Sequence, residues 1–286
     1  MSIKIITDTS SDMPEAIREK YDIGMLRFLS VFDGKSYVSG KDITNAQFYE
    51  MLKSSDKIPT TSQTPFGDMY DELLKASKDY DSVIYITLSS KGSGQYTSAC
   101  MAREQIIEND NPDADIHIID SMKYSLYLTA AAVKAAEMAQ AGSTAEEIVA
   151  ECKKEIDSWE VILLVDTLEY LEKGGRINKA AAVIGSLLDI KPVLSIRDGL
   201  IESVAKMRGK KRLLDKLADM MIDDPNFDSA QNKIMIVHSD AAKADEMRDI
   251  LKDKLGIDDV HLVSEFGPII GTHVGPGAIA LIYKTC

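Results

Sequence analysis

Cysteine is scarce in this chain: three among 286 residues, Cys100, Cys152 and Cys286, odd in number and far apart. That excludes a disulfide-stapled scaffold, and none of the three has metal-ligand spacing. Positive charge is in deficit, with 33 Lys and Arg against 46 Asp and Glu and a net charge of −13. A field of that sign repels nucleic acid and anionic lipid surfaces. No apolar run approaches the length needed to span a bilayer. The opening Met1-Ser2-Ile3-Lys4-Ile5-Ile6 lacks the basic and then long apolar pattern of a secretory leader. There is no internal repeat and no low-complexity segment. The expectation is a reduced, soluble, cytoplasmic protein.

What is present is ordinary globular composition, 45% hydrophobic and 28% charged, which excludes a disordered chain. Short apolar runs at Ile3–Ile6, Val83–Leu88 and Ile116–Ile119 read as buried strands. Helical patterns lie between and after them at 14–21, 65–80, 95–108 and 124–140, with Pro14 and Pro65 where a first turn tolerates proline. Another helix opens after Gly142-Ser143-Thr144 and ends near Trp159. Strand, crossover helix and next strand in this order signal a parallel sheet covered on both faces. From the strand at Val161–Val165 the pattern changes. Segments 192–196 and 200–205 flank Asp198-Gly199, a hairpin signal. A helix over 210–221, a strand over 233–238, a helix over 241–255 and strands at 260–264 and 278–283 complete the chain. The expected fold is α/β, with an N-terminal parallel-sheet α/β domain over 1–158 and a C-terminal mixed α+β domain over 159–286.

The charge is unevenly spread. From Lys173 to Lys216 there are eleven basic and four acidic residues, so this stretch carries +7 and the remainder −20. It reads either as a solvated basic face or as a docking patch for an acidic or phosphate-bearing partner. Duplex nucleic acid is the poorer reading, because no nucleic-acid motif accompanies the charge.

Three hydroxyl-rich clusters, at 7–12, 60–63 and 89–94, fall where loops after strands are expected. In an open α/β sheet, ligands bind beyond the carboxyl ends of the strands. Ser11 and Asp12 are expected to cap the helix that follows them. Ser93 differs: it lies between Gly92 and Gly94, ahead of a helix whose N-terminus favours an anion. A hydrolase elbow needs glycines two residues either side of the serine, and those positions hold Lys91 and Gln95. Neither a Walker loop, a dinucleotide fingerprint nor a zinc-protease helix is present. Asp120-Ser121 closes a strand and reads as a turn. Of four histidines, His117, His238 and His261 lie in or beside strand patterns. His273 stands apart, in what reads as a glycine-rich turn over 271–277, where function is more common.

Six segments, in order, together resemble the DegV family. They are Thr-Asp-Thr-Ser-Ser-Asp-Met-Pro at 7–14, Thr61-Ser62-Gln63, Ser-Ser-Lys-Gly-Ser-Gly-Gln-Tyr at 89–96 with Ser98-Ala99, Lys173-Gly174-Gly175-Arg176-Ile177, Lys206-Met207-Arg208-Gly209-Lys210-Lys211, and Thr272-His273-Val274-Gly275-Pro276-Gly277-Ala278. The resemblance implies a bacterial two-domain α/β protein holding one long-chain fatty acid where its domains meet. It also implies an acyl-binding subunit that presents the carboxylate to a separate ATP-dependent fatty acid kinase protein and so feeds phospholipid synthesis. On this resemblance Thr61, with Ser62 beside it, Ser93 and His273 bind the carboxylate, and Gly92, Gly94 and Thr272 are loop contacts. Arg176 belongs to a kinase-docking surface with Lys173, Lys206, Arg208, Lys210 and Lys211. No cofactor, metal or catalytic residue of its own is implied, and contact with membranes would be transient. The chain departs from the family pattern at Thr64, where proline is common, at Gly92 in place of leucine, and over 122–128, which lacks the usual glycines. The rival reading is a stand-alone phosphotransferase or hydrolase using Ser93 and His273.

Overall fold

The computed structural model describes residues 2–55, 57–177, 190–209 and 212–286. The chain forms two compact units, Met1–Thr44 with Pro59–Asp157, and Asn45–Ile58 with Ser158–Cys286. The second unit thus takes a segment, Asn45–Ile58, that the sequence reading assigns to the first domain. In order the elements of the earlier half are β1 (Ile3–Asp8), α1 (Glu15–Lys20), β2 (Gly24–Leu26), β3 (Leu29–Phe32), β4 (Lys35–Val38) and α2 (Asn45–Ser54). There follow β5 (Thr60–Ser62), α3 (Phe66–Asp79), β6 (Ser82–Thr87), α4 (Gln95–Asn109), β7 (Ile116–Asp120), α5 (Leu126–Gln140) and α6 (Ala145–Asp157).

The first unit is an α/β layer on a parallel sheet ordered β2-β1-β6-β7. All six residues of β6 are buried, as expected of a central strand covered on both faces. Ile6, Val83 and Tyr85 join Met69 and Leu73 of α3 and Ala99, Ala102 and Ile106 of α4 in one core cluster. The alternate residues Ile5, Ile84 and Ile86 are equally buried, and α5 and α6 pack on β1 and β6 without entering that cluster. Period-2 alternation on β1 and β6 therefore gives each helix pair its own face.

A second, antiparallel sheet, β4-β3-β5, was not legible as strands. Its pieces are three or four residues long, too short for alternation to register. Thr60–Ser62, expected as a loop, is β5, paired with β3 through Leu29↔Ser62, Ser30↔Thr61 and Val31↔Thr60. The expected capping by Ser11 and Asp12 also fails. Thr9–Ser11 form a single 3-10 turn capped by Asp8, Asp12 has φ 51°, and α1 starts at Pro14 without a side-chain cap.

In the second unit follow β8 (Trp159–Leu164), α7 (Glu169–Lys173), β9 (Ile190–Arg197), β10 (Leu200–Arg208), α8 (Leu213–Ile222), β11 (Ile234–His238), α9 (Ala241–Leu255), β12 (Leu262–Glu265), α10 (Pro268–Val274) and β13 (Ile279–Lys284). They build the mixed sheet β10-β9-β8-β13-β11-β12, whose only parallel pair is β11 with β12 among the described residues. The Asp198-Gly199 hairpin joins β9 to β10 with φ 48° and 77°, the two positive values that a two-residue I′ loop requires. Helices α8 and α9 bury Leu217, Met221, Met247 and Leu251 against Ile162, Ile236 and Leu281 of the sheet. Lys210 and Lys211, the predicted start of the helix now seen as α8, lie outside the described residues. The largest departure concerns residues 271–277: His273 lies in the last turn of α10, not in an open turn. Gly267-Pro268 supplies the helix start, with proline in the first turn where its missing N–H costs nothing.

Helix α2 seats against α10 inside this unit. The Tyr49 hydroxyl donates to the Phe266 carbonyl at 2.9 Å, and a Cβ at Gly271 would lie 2.8 Å from that hydroxyl and 2.9 Å from the Phe48 ring. Alanine at 271 gains roughly 1 kcal/mol of helix propensity, while overpacking costs about 1–3 kcal/mol. Gly271→Ala is therefore expected to lose up to about 2 kcal/mol in denaturant unfolding. A gain of the roughly 1 kcal/mol that helix propensity alone supplies would mean that α2 does not approach α10 this closely.

Candidate functional site

In the first unit the loop between β6 and α4 is held by short local bonds. Asp120, at the end of β7, accepts on Oδ1 from the amides of Ser90 and Met122, both at 3.0 Å. Ser89 Oγ accepts from the Lys91 amide at 3.2 Å, and Ser93 Oγ accepts from the Gln95 amide at 3.3 Å. Ser93 thus satisfies one of the open amides of α4's first turn, the capping role the sequence reading reserved for Ser11 and Asp12. Its hydroxyl proton is not used in that bond and can be donated to an anion.

Two glutamines fasten this loop to the end of β5. Gln63 Nε2 donates to Ser98 Oγ at 2.7 Å. In return, the fully buried Gln95 donates to Thr64 Oγ1 at 2.9 Å and accepts from the Thr64 amide at 3.1 Å. The structure therefore brings two predicted site segments, Thr61-Ser62 and Ser93, into one hydrogen-bonded assembly. Thr61 is half-buried and Ser62 exposed. Thr64, where the family favours proline, is the residue that Gln95 grips.

The Gln95 amide group also donates to the Tyr85 hydroxyl at 2.7 Å, and Tyr85 donates to Asp8 Oδ2 at 3.1 Å. Asp8 Oδ1 accepts from the Ser10 amide and hydroxyl. Beyond Asp8, the Ser125 hydroxyl donates to Asp12, and Thr129 Oγ1 donates to the Ser11 carbonyl at 2.9 Å. The hydroxyl-rich segment at 7–12 is thus largely an internal brace between β1 and α5. Sequence reasoning did not find this relay. A buried glutamine at a helix start leaves no periodic signal.

Gly92 and Gly94 are required by side-chain approach and not by φ. A Cβ at 92 would stand 2.5 Å from the Tyr124 hydroxyl, and one at 94 would stand 2.7 Å from Gln63 Oε1. Tyr124, from the 122–128 segment, fills the space beside residue 92.

In the second unit His273 is buried against the turn after α7. A Cβ at Gly174 would lie 2.3 Å from His273 Nδ1, so the glycine of the Lys173–Ile177 motif makes room for the imidazole. Burial, reinforced by the nearby Arg176 guanidinium, lowers the His273 pKa to about 3, so the ring is neutral at pH 7. Thr272 lies on α10 and not in a loop; it is buried, and its hydroxyl donates to the Pro268 carbonyl at 2.7 Å. Arg176, assigned by the resemblance to a docking surface, is half-buried and donates from Nη1 to the Gly174 carbonyl at 2.5 Å. Lys173 is exposed and paired with Glu169 at 2.7 Å. Lys206 and Arg208 are exposed on β10. Among the described residues no group of three His, Cys, Asp or Glu could hold a metal ion, and no helix is long and apolar enough to cross a membrane.

Complete burial raises the Asp8 pKa from 3.8 to about 6, against the lowering effect of the Ser10 and Tyr85 bonds. The folded state therefore binds this proton more tightly than the unfolded state. The stability this confers is complete below about pH 4 and is lost as the pH rises through 6. A difference of this size in proton affinity corresponds to about 3 kcal/mol. Relative to Asp8→Asn, the parent protein is expected to lose about 2–3 kcal/mol of unfolding free energy between about pH 4 and 7. Parallel pH profiles for the two proteins would show that Asp8 is not buried as an acid.

Comparison with known proteins agrees with this architecture. A family model described as an uncharacterised protein of the DegV family matches residues 2–285. A fatty acid-binding protein of Thermotoga maritima is 31% identical over 285 residues, 98% of this chain and 96% of its own. The crystal structure of DegV from Bacillus subtilis, described as a fatty acid binding protein, is 30% identical, with a TM-score of 0.85 over the whole of both chains. That of a fatty acid binding DegV family protein from Streptococcus agalactiae is 31% identical, with a TM-score of 0.85 over 100% of this chain and 99% of its own. A match that takes in both units and all six ordered motifs has one meaning: the chain belongs to the DegV family.

Proposed function

We propose that this protein is a carrier that binds one long-chain fatty acid and offers its carboxylate to a separate ATP-dependent kinase. In the first unit Thr61, Ser62 and Ser93 are the carboxylate-binding residues; in the second it is His273. The observation that carries this reading is whole-length likeness, at 30% identity or more, to proteins described as fatty acid binding. The site chemistry supports it. Acyl burial contributes about 0.8 kcal/mol per CH₂, and the head group needs hydrogen bonds because a buried unpaired charge is costly. Hydroxyls, amides and a neutral imidazole satisfy a carboxylate without a tight ion pair, leaving an oxygen nucleophilic. That oxygen would attack the γ-phosphorus of ATP held by the kinase, the bond to ADP would break, and acyl phosphate and ADP would leave. Nothing in this scheme asks the present chain for covalent chemistry.

The rival, a hydrolase or phosphotransferase built on Ser93 and His273, is poorly served. Ser93 Oγ accepts from the Gln95 amide at 3.3 Å, a helix-start contact and not a bond to a base. A histidine with a pKa of about 3 is far from the neutral value that efficient general-base catalysis needs.

Protein produced in bacteria is expected to carry about one equivalent of fatty acid, seen as an added mass in native mass spectra and recovered on denaturation and extraction. Ser93→Ala should weaken binding by roughly 1–3 kcal/mol, the cost of one charge-assisted bond, and leave the fold intact. Bare-chain spectra with no extractable lipid would remove the carrier reading.

For the kinase step, Lys206 and Arg208 on β10 are two of the exposed cations of the basic stretch. Charge reversal at both is expected to slow acyl phosphate formation by the cognate kinase, with fatty-acid affinity unchanged. The defect should deepen with salt as the remaining attraction is screened. Normal turnover at all salt concentrations would make this a solvated face.

A further inference from the structure

We propose that Ser30 is a further head-group residue, the cross-strand partner of Thr61 on the ligand's carboxylate. The inference rests on the fatty-acid reading and deepens it. Ser30 is completely buried, and its Oγ has no hydrogen-bond partner among the described residues. Native structures leave few such groups, because a buried hydroxyl without a partner forfeits its bonds to water and receives nothing in exchange. An orphaned hydroxyl therefore points to something that joins it.

The register says what lies beside it. In the antiparallel pairing of β3 with β5, Ser30 stands directly opposite Thr61. Directly opposed residues present their side chains on one face, with Cβ atoms about 4.5–5.5 Å apart. Two hydroxyls at that spacing can donate to the two oxygens of one carboxylate, which spans little more than about 2 Å. Thr61 is half-buried and so has access to a ligand that Ser30 reaches from the interior side. On its other flank Ser30 opposes Tyr37 of β4, so the small sheet walls the hydroxyl on both sides along its hydrogen-bonding direction. This gives β3, an element that sequence reasoning missed, a reason to bury a serine where the other inward residue is Phe32.

The test compares Ser30→Ala with the parent protein, after delipidation, for binding of hexadecanoic acid and of hexadecan-1-ol. A hydroxyl that serves the ligand is dispensable without it. The ligand-free variant is thus expected to unfold at the same temperature as the parent or higher. Affinity for the acid should fall roughly tenfold, as expected for one hydrogen bond to a charged group, and affinity for the alcohol should change much less. Acid binding within about twofold of the parent, an equal loss for the alcohol, or a destabilised ligand-free variant overturns the assignment and makes Ser30 a structural residue. Ser93→Ala measured alongside separates the two ideas. Loss in Ser93→Ala with none in Ser30→Ala removes Ser30 alone, whereas no loss in either removes the fatty-acid site.

Discussion

The carboxamide of Gln95 is the constraint on which the first unit's site depends. It is fully buried and uses both ends, donating to Thr64 and Tyr85 and accepting from the Thr64 amide. Through it the start of α4 is tied to the exit of β5 on one side and to Asp8 at the end of β1 on the other. Each of these groups, left without a partner in the interior, would cost about 1–3 kcal/mol, so the assembly persists as a whole or fails as a whole. Ser93 inherits its position from this arrangement, because its own bond reaches the backbone of the residue whose side chain is so held. The placement of a surface-loop hydroxyl is decided by a buried amide two positions further along.

Burial sets the electrostatics of the candidate residues in each unit. In the first, desolvation raises the Asp8 pKa to about 6; in the second, desolvation and the nearby Arg176 keep His273 neutral. Lys173, Lys206 and Arg208 are exposed, and charges at such positions act over a Debye length.

Much of the fold was legible in the residues, for reasons that also explain the omissions. β1, β6 and β7 are short, predominantly apolar runs bounded by helical periods, and Asp198-Gly199 is a turn whose chemistry fixes its geometry. The β3–β4 connection carries the same signal at Asp33-Gly34, with φ 46° and 81°, but its strands are too short to announce themselves. That signal, weighed alone, could have found the small sheet. His273 was singled out, but its setting was misjudged. Gly267-Pro268 starts a helix, and the glycines beyond Val274 end it. Gly174 and Gly92 were seen as motif members, whereas the structure shows them as absences of side chain that admit His273 and Tyr124. Such packing between distant segments has no period and leaves no trace in local sequence.

Helix α2 bears on how the molecule is made. Residues 45–58 leave the ribosome long before the segment at 266–275 that they pack against, because 217 positions separate Tyr49 from Phe266. During synthesis the first unit can close its parallel sheet from local pieces, whereas Phe48, Tyr49 and Leu52 must wait with their apolar surface exposed until nearly the last turn of chain is available. The closing contact has one of the longest sequence separations the chain permits, which places it late in folding and makes the incomplete chain vulnerable to association.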